Sequence, residues 1–155
     1  MTDLSSYTED FYSGIYNSSN DSSEVIVPLL MALFKPKSVI DLGCGTGIWI
    51  NKFRQLGVED ILGVDGEYVD EKMLVIEKEK FIAWDLRDPF HLSRKFDLAI
   101  SLEVAEHLPI DVADNLVDTL TSLSSFIVFA AAIPGQGGTD HINEQWHSYW
   151  IGKFK

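Results

Sequence analysis

The segment VIDLGCGTGIW, from Val39 to Trp49, constrains the fold more than any other part of the chain. It begins as an apolar, β-branched run typical of a buried strand, and three glycines follow at every second position. Gly43, Gly45 and Gly47 let the backbone turn sharply and let a ligand approach without meeting a Cβ atom. The spacing is one residue short of the dinucleotide-binding pattern G-x-G-x-x-G. Taken alone, the loop is therefore equally compatible with a plain turn from strand to helix.

The rest of the sequence alternates between strand and helix patterns. Apolar runs predict five strands, at Ser38–Leu42, Asp60–Val64, Phe81–Asp85, Phe96–Leu102 and Ser125–Ile133. Helical spacing predicts helices at Thr46–Leu56, at Ile110–Leu123, near Glu144–Phe154, and from Ser22 or Ser23 to Pro36 with Pro28 in the first turn. This alternation indicates an α/β, Rossmann-like fold: a parallel sheet with helices on both faces. We expect residues 1–20 to form a polar arm and residues 21–155 to form one domain.

Three acidic residues strengthen the prediction of a ligand site. Asp41, Asp65 and Asp85 lie at the ends of the first three predicted strands. In parallel sheets, ligands bind outside the carboxyl ends of the strands. Asp41 can face a cation, and Asp65 lies near the offset of about 20 residues at which an acid binds ribose hydroxyls. Asp85 is placed to accept a hydrogen bond from an adenine amino group.

The segments VIDLGCGTG, GVD, AWDL and FDLAISLEVAEHLP resemble, in order and spacing, the motifs of the class I S-adenosylmethionine-dependent methyltransferases. The resemblance implies that the chain binds S-adenosylmethionine. The glycine loop and Asp41 would hold the methionine part, Asp65 the ribose, and Asp85 the adenine, while Leu102 and Glu103 would line the floor beneath the methyl group. The full cofactor-binding set implied is Asp41, Gly43, Cys44, Gly45, Gly47, Asp65, Gly66, Asp85, Leu86, Leu102 and Glu103.

The segment SLEVAEHLP carries a second group of polar residues. If the chain is helical there, Glu103, Glu106 and His107 share one face, and His141 follows the fifth strand at the same rim of the sheet. Some members of the family, including ubiquinone-pathway O-methyltransferases and small-RNA terminal 2′-O-methyltransferases, use a similar set as a metal site. In others the glutamate and histidine serve the cofactor loop or act as a general base. Two interpretations stay open: a magnesium or manganese site formed by all four residues, or metal-free catalysis by Glu106, His107 and His141.

The C-terminal segment IPGQGGTDHINEQWHSYWIGKF, from Ile133 to Phe154, resembles a segment of bacterial family members linked to saccharide or secondary-metabolite modification. Gln136, Asn143, Glu144 and Gln145 offer the hydrogen bonds that a polyhydroxylated acceptor would need. We therefore expect O-methylation of a small or saccharide-like acceptor, with Tyr7, Tyr12 and Tyr16 as a lid over the cofactor. The alternatives are a metal-dependent RNA terminal 2′-O-methyltransferase and a non-catalytic S-adenosylmethionine-binding module.

Family members usually have seven strands, and the last two have no counterpart in this sequence. We expect a C-terminally truncated domain whose fifth strand is either capped by the C-terminal helix or paired with a second copy in a homodimer. An unprotected apolar edge would otherwise invite aggregation.

The charge of the chain limits the classes of partner. Its 155 residues include 24 acids and 12 Lys or Arg, for a net charge of −12, without a basic stripe. Nucleic acid and anionic membranes are poor partners for such a surface. A single cysteine and the absence of a signal-peptide pattern or of a membrane-spanning run predict a cytoplasmic protein.

Overall fold

The computed structural model describes residues 9–155, with side chains from residue 19 onward. Four helices and five strands follow one another in chain order: α1 (Glu9–Phe34), β1 (Ser38–Leu42), α2 (Ile48–Gln55), β2 (Asp60–Asp65), β3 (Phe81–Ala83), β4 (Leu98–Leu102), α3 (Ala113–Leu123), β5 (Ile127–Ala130) and α4 (His147–Lys153). Short 3₁₀ turns lie at Glu71–Met73, Lys78–Lys80, Ala105–His107 and Ile110–Val112.

The five strands form one sheet in the order β3-β2-β1-β4-β5, with every pair parallel. The predicted α/β fold with five parallel strands is confirmed. Strands β2 and β3 follow β1 on one side of the sheet. Strand β4 then pairs with the opposite side of β1. The strand order therefore reverses between β1 and β4, which is where open α/β sheets bind ligands.

Apolar side chains on the two faces of the sheet form two separate cores. On one face Val27 of α1 and Phe53 of α2 pack with Val39, Leu98 and other strand residues. On the opposite face Ile40 packs with residues of α3 and with Trp150 of α4. Because Val39 and Ile40 are consecutive, their side chains point to opposite faces, as expected for a strand buried on both sides.

Helix α1 differs most from its prediction. It begins at Glu9 rather than at Ser22 or Ser23, and Pro28 lies in its interior rather than in its first turn. The Ser23 hydroxyl donates to the carbonyl of Asn20, 2.8 Å away, so it bonds back along the helix instead of capping a new one. The helix crosses the predicted boundary at residue 20, and the division into arm and domain stays a prediction.

Strand β5 lies at one edge of the sheet, and α4 covers one of its faces. The Phe129 ring lies 5.0 Å from the Trp150 ring and 5.2 Å from the Phe154 ring, measured between centroids. The C-terminal helix thus packs on a face of the strand, while capping of its edge and pairing with a second copy both stay predictions. Across residues 9–155, none of the helices combines the length and the apolar character needed to cross a membrane.

Candidate functional site

A cleft of about 900 Å³ opens at the carboxyl ends of the strands. Most of the predicted site residues line it: Gly43, Cys44, Gly45, Asp65, Gly66, Asp85, Leu86, Leu102, Glu103, Glu106, His107 and His141. Asp41 and Gly47 do not belong to this lining. Parallel register explains the convergence, since Asp65 pairs with Ala83 and Leu102 with Ala130 at one rim of the sheet.

The first two glycines of the loop serve different purposes. Gly43 has a φ of 85°, and a Cβ atom there would lie 2.2 Å from Cγ2 of Val104. Gly45 has a φ of 53°, and a Cβ atom there would meet nothing within 4 Å. Gly43 is therefore required by packing, whereas Gly45 leaves open space on the cleft wall that a ligand can occupy.

Asp41 belongs to β1, and Cys44 lies within the loop between the first two glycines. Both are buried, and burial is the main cause that raises the pKa of the Asp41 carboxyl and of the Cys44 thiol well above their ordinary values. The negative charge of Asp65 raises both further. A direct role of Asp41 in binding a cofactor stays a prediction.

Asp65 connects the loops that follow β1 and β2. Its carboxylate accepts hydrogen bonds from the backbone N–H groups of Gly45, at 2.6 Å, and Gly66, at 2.7 Å. The hydroxyl of Tyr68 donates to the same carboxylate. Burial raises the pKa of Asp65, although these hydrogen bonds partly offset that effect. Sequence reasoning missed Tyr68, whose only signal is an aromatic residue just after the acid.

Asp85 lies in a turn rather than at the end of a strand, because β3 ends at Ala83. Arg87 Nε lies 2.9 Å from both of its carboxylate oxygens. This guanidinium holds the pKa of Asp85 below its ordinary value. Asp85 reaches the cleft, but its carboxylate is already engaged by Arg87.

The EVAEH segment is not the predicted helix. Glu103 has a φ of 56°, and only a single 3₁₀ turn, Ala105–His107, follows it. Pro109 lies directly after Leu108 and disfavours a helical conformation for that residue, so the turn does not extend. Glu103 therefore leaves the face shared by Glu106 and His107, and Gln136 Nε2 donates to its carboxylate at 3.4 Å.

Glu106, His107 and His141 converge in the cleft. One potential ligand atom from each lies within 4.8 Å of the others. Glu106 is fully buried, and neither carboxylate oxygen has a hydrogen-bond partner; Nδ1 of His107 is also buried without one. Burial raises the pKa of Glu106 to about 6 and lowers the pKa of His107, which the charge of His141 lowers further. Glu103 lies outside this group, and its place as a fourth metal ligand stays a prediction.

The residues expected to bind an acceptor hydrogen-bond within the protein instead. Asn143 Nδ2 donates to the Ala105 carbonyl at 3.4 Å, and Gln145 Nε2 donates to Asn143 Oδ1 at 3.0 Å. Gln136 contacts Glu103, and Glu144 accepts from two backbone N–H groups of its own loop. These bonds shape the loop after β5, and a role of these residues in binding an acceptor stays a prediction. The predicted lid side chains, Tyr7, Tyr12 and Tyr16, lie outside the described residues.

The family model and the similar proteins described below are all methyltransferases. Residues 20–131 match a family described as a methyltransferase domain. A ubiquinone biosynthesis O-methyltransferase from Rhodopseudomonas palustris is 26% identical over 122 residues, which cover 72% of this chain and 42% of that protein. This chain thus corresponds to less than half the length of that relative.

Two solved structures share the fold. A SAM-dependent methyltransferase from Archaeoglobus fulgidus is 18% identical with a TM-score of 0.70, over 95% of this chain and 72% of that one. An amino pentose methyltransferase from Micromonospora echinaspora, solved with SAM bound, is 18% identical with a TM-score of 0.63, over 85% of this chain and 60% of that one.

Proposed function

The chain belongs to the methyltransferase domain family, and on this premise we propose that it transfers the methyl group of S-adenosylmethionine to a hydroxyl oxygen of a small, saccharide-like acceptor. The observation that carries the proposal is the composition of one cleft. Gly45 and Asp65 line it together with Glu106, His107 and His141. A site for a nucleoside and a group able to activate a hydroxyl therefore share one cavity.

The cofactor end of the cleft suits a positively charged nucleoside. The backbone at Gly45 is open to a ligand, and Asp65 supplies a carboxylate at the position where the fold binds ribose. The transferable methyl group is carried by a sulfonium cation. An acidic cleft attracts that cation more strongly than the neutral thioether formed after transfer.

The acceptor end fits a divalent cation. A buried carboxylate with two unpaired oxygens is unfavourable in a folded protein unless a partner compensates it. Glu106, His107 and His141 together supply one carboxylate and two imidazoles, a donor set that favours Mn²⁺ over Mg²⁺. When bound there, such an ion would orient an acceptor hydroxyl and lower its pKa.

The chemical step exchanges one bond for another. The bond between sulfur and the methyl carbon breaks as the bond between the acceptor oxygen and that carbon forms, with the two oriented in line. The electron pair of the broken bond stays on sulfur, which becomes a neutral thioether. The hydroxyl proton leaves to solvent when the imidazoles of His107 and His141 hold the ion, whereas without an ion those ring nitrogens are the nearby proton acceptors.

The choice of a saccharide-like acceptor has support from two relatives and from charge. One relative is an O-methyltransferase and another acts on an amino pentose. The net charge of −12 disfavours a nucleic-acid acceptor.

Calorimetry and a transfer assay test the proposal. S-adenosylhomocysteine is titrated into the metal-stripped chain with and without MnCl₂, and methyl-labelled S-adenosylmethionine is then offered with a panel of monosaccharides or with an RNA oligonucleotide. We expect product binding in both titrations and manganese-dependent transfer to a sugar hydroxyl. His141→Gln should abolish transfer, whereas the exposed His91→Gln should not. Binding without transfer to any acceptor would identify a non-catalytic module, and transfer to RNA would identify the alternative enzyme.

A further inference from the structure

The carboxylate of Glu144 lies at the centre of the loop that follows β5. Its Oε2 accepts from the N–H of Gly135 at 2.8 Å, and its Oε1 accepts from the N–H of Gly137 at 2.8 Å. Oε1 also lies 3.0 Å from Nδ1 of His141. Glu144 thus joins the glycine-rich turn to an imidazole of the cleft.

Two further contacts limit the rotation of the His141 ring. A Cβ atom on Gly138 would lie 2.3 Å from Nε2 of His141, so the backbone at this glycine passes directly beside the ring. The ring of His107 meets it edge to face, with centroids 4.9 Å apart and an angle of 83° between the planes. The orientation of His141 is therefore set from three sides.

The hydrogen bond from Glu144 also determines which nitrogen carries the proton. An ionised carboxylate only accepts hydrogen bonds, so Nδ1 of a neutral His141 must be the protonated nitrogen. Nε2 is then left with the free lone pair. The neighbouring His107 ring has a buried Nδ1 without a hydrogen-bond partner.

We propose that Glu144 is a positioning residue that fixes the tautomer and orientation of His141, so that Nε2 is the nitrogen offered to an acceptor proton or to a divalent cation. Carboxylates that hold histidines in this way usually affect activity or metal affinity strongly. The effect on methyl transfer rests on the proposed function, whereas the tautomer does not.

Nitrogen-15 NMR of the histidine rings in the full, metal-free chain tests the tautomer directly. At a pH where the ring is neutral, wild type should show a protonated Nδ1 and an unprotonated Nε2 for His141. Glu144→Leu removes both acceptor oxygens, so His141 should lose its preference for a protonated Nδ1 and shift toward the Nε2-protonated form. The control Glu79→Leu, at an exposed position on the turn before β3, should leave the His141 resonances unchanged.

An Nε2-protonated His141 in wild type would overturn the proposal without any variant being needed. An unchanged tautomer in a folded Glu144→Leu protein would overturn it as well. In the transfer assay, Glu144→Leu should lower the rate by roughly 10- to 100-fold while binding of S-adenosylhomocysteine is retained. If wild type shows the expected tautomer but transfers no methyl group, the positioning role stands and the proposed function fails.

Discussion

His107 and His141 meet edge to face, with ring centroids 4.9 Å apart, although one follows β4 and the other follows β5. Parallel neighbouring strands deliver their following loops to the same rim, so the contact is a product of sheet topology. The charge of a protonated His141 lowers the pKa of His107. The pair therefore resists double protonation and is suited to share one proton or one cation.

Glu106→Gln should stabilise the metal-free protein at alkaline pH and abolish methyl transfer. Burial raises the pKa of Glu106 from 4.5 to about 6, so the stability that its protonated form contributes is fully present below pH 4.5 and is lost as the pH rises through about 6. Glutamine cannot ionise and avoids this loss. The free energy of unfolding of the variant, relative to wild type, should rise by about 2 kcal/mol between acidic and alkaline pH. Urea unfolding at several pH values measures it.

The matched control for this experiment is Glu79→Gln, which removes an exposed carboxylate. Its stability relative to wild type should change little with pH. The contrary result is that the free energies of unfolding of Glu106→Gln and wild type differ by a constant amount from acidic to alkaline pH. That result would mean that ionisation of the buried Glu106 carboxylate does not destabilise the folded protein.

Alanine at the first two loop glycines should separate the cost of the left-handed backbone from the cost of side-chain overlap. Gly45→Ala places an alanine in the left-handed backbone conformation, with its Cβ atom in open space. This substitution should cost about 1–2 kcal/mol of stability. Gly43→Ala carries the same backbone cost and also overlaps the branched side chain of Val104, for about 1–3 kcal/mol more. Thermal and urea unfolding compare the two variants. Equal losses would show that the contact with Val104 relaxes without cost.

Asp65→Asn should weaken the binding of S-adenosylhomocysteine. The carboxylate accepts from two backbone N–H groups and faces the cleft, and hydrogen bonds to a charged group contribute about 1.5–3 kcal/mol each. We expect the dissociation constant, measured by calorimetry, to rise by about 10- to 100-fold. Asp118→Asn, on the exposed side of α3, is the control and should bind like wild type.

Tyr68→Phe should strengthen binding of the same ligand. The Tyr68 hydroxyl donates to Asp65 and so competes with a ribose hydroxyl for the carboxylate. Removing one neutral competitor should lower the dissociation constant by about 2- to 10-fold, equivalent to about 0.5–1.5 kcal/mol. Weaker binding by the phenylalanine variant would instead show that the Tyr68 hydroxyl supports the ligand.

The sheet could be predicted because its strands are buried on both faces. A run such as Ser38–Leu42 is apolar without helical periodicity, and the structure places β1 at those residues. The N-terminal half of α1 could not be predicted in the same way. Residues 9–20 carry no continuous apolar stripe, and helices without one give no periodic signal.

The sequence predicted most of the residues that line the candidate site, but it did not predict the hydrogen bonds between them. Strand ends identified Asp65 and the two histidines, because parallel topology brings strand ends together. The roles of Tyr68 and Glu144 depend on loop conformations that no spacing rule specifies. Glu103 was misplaced for a related reason, since its left-handed backbone interrupts the helical face that i, i+3 spacing assumes.

The left-handed backbone conformation determines which substitutions a selection for stability would favour. Among residues 9–155, three residues other than glycine have a positive φ, and two of them border the histidine pair: Glu103 leads into the turn of His107, and Asp140 precedes His141. A left-handed backbone costs a residue such as Glu103 about 1–2 kcal/mol, and an aspartate such as Asp140 less, whereas glycine avoids the cost. A laboratory selection for heat tolerance alone should therefore drift toward glycine at both positions. The most thermostable descendants would be those that had lost the side chains at this corner of the cleft.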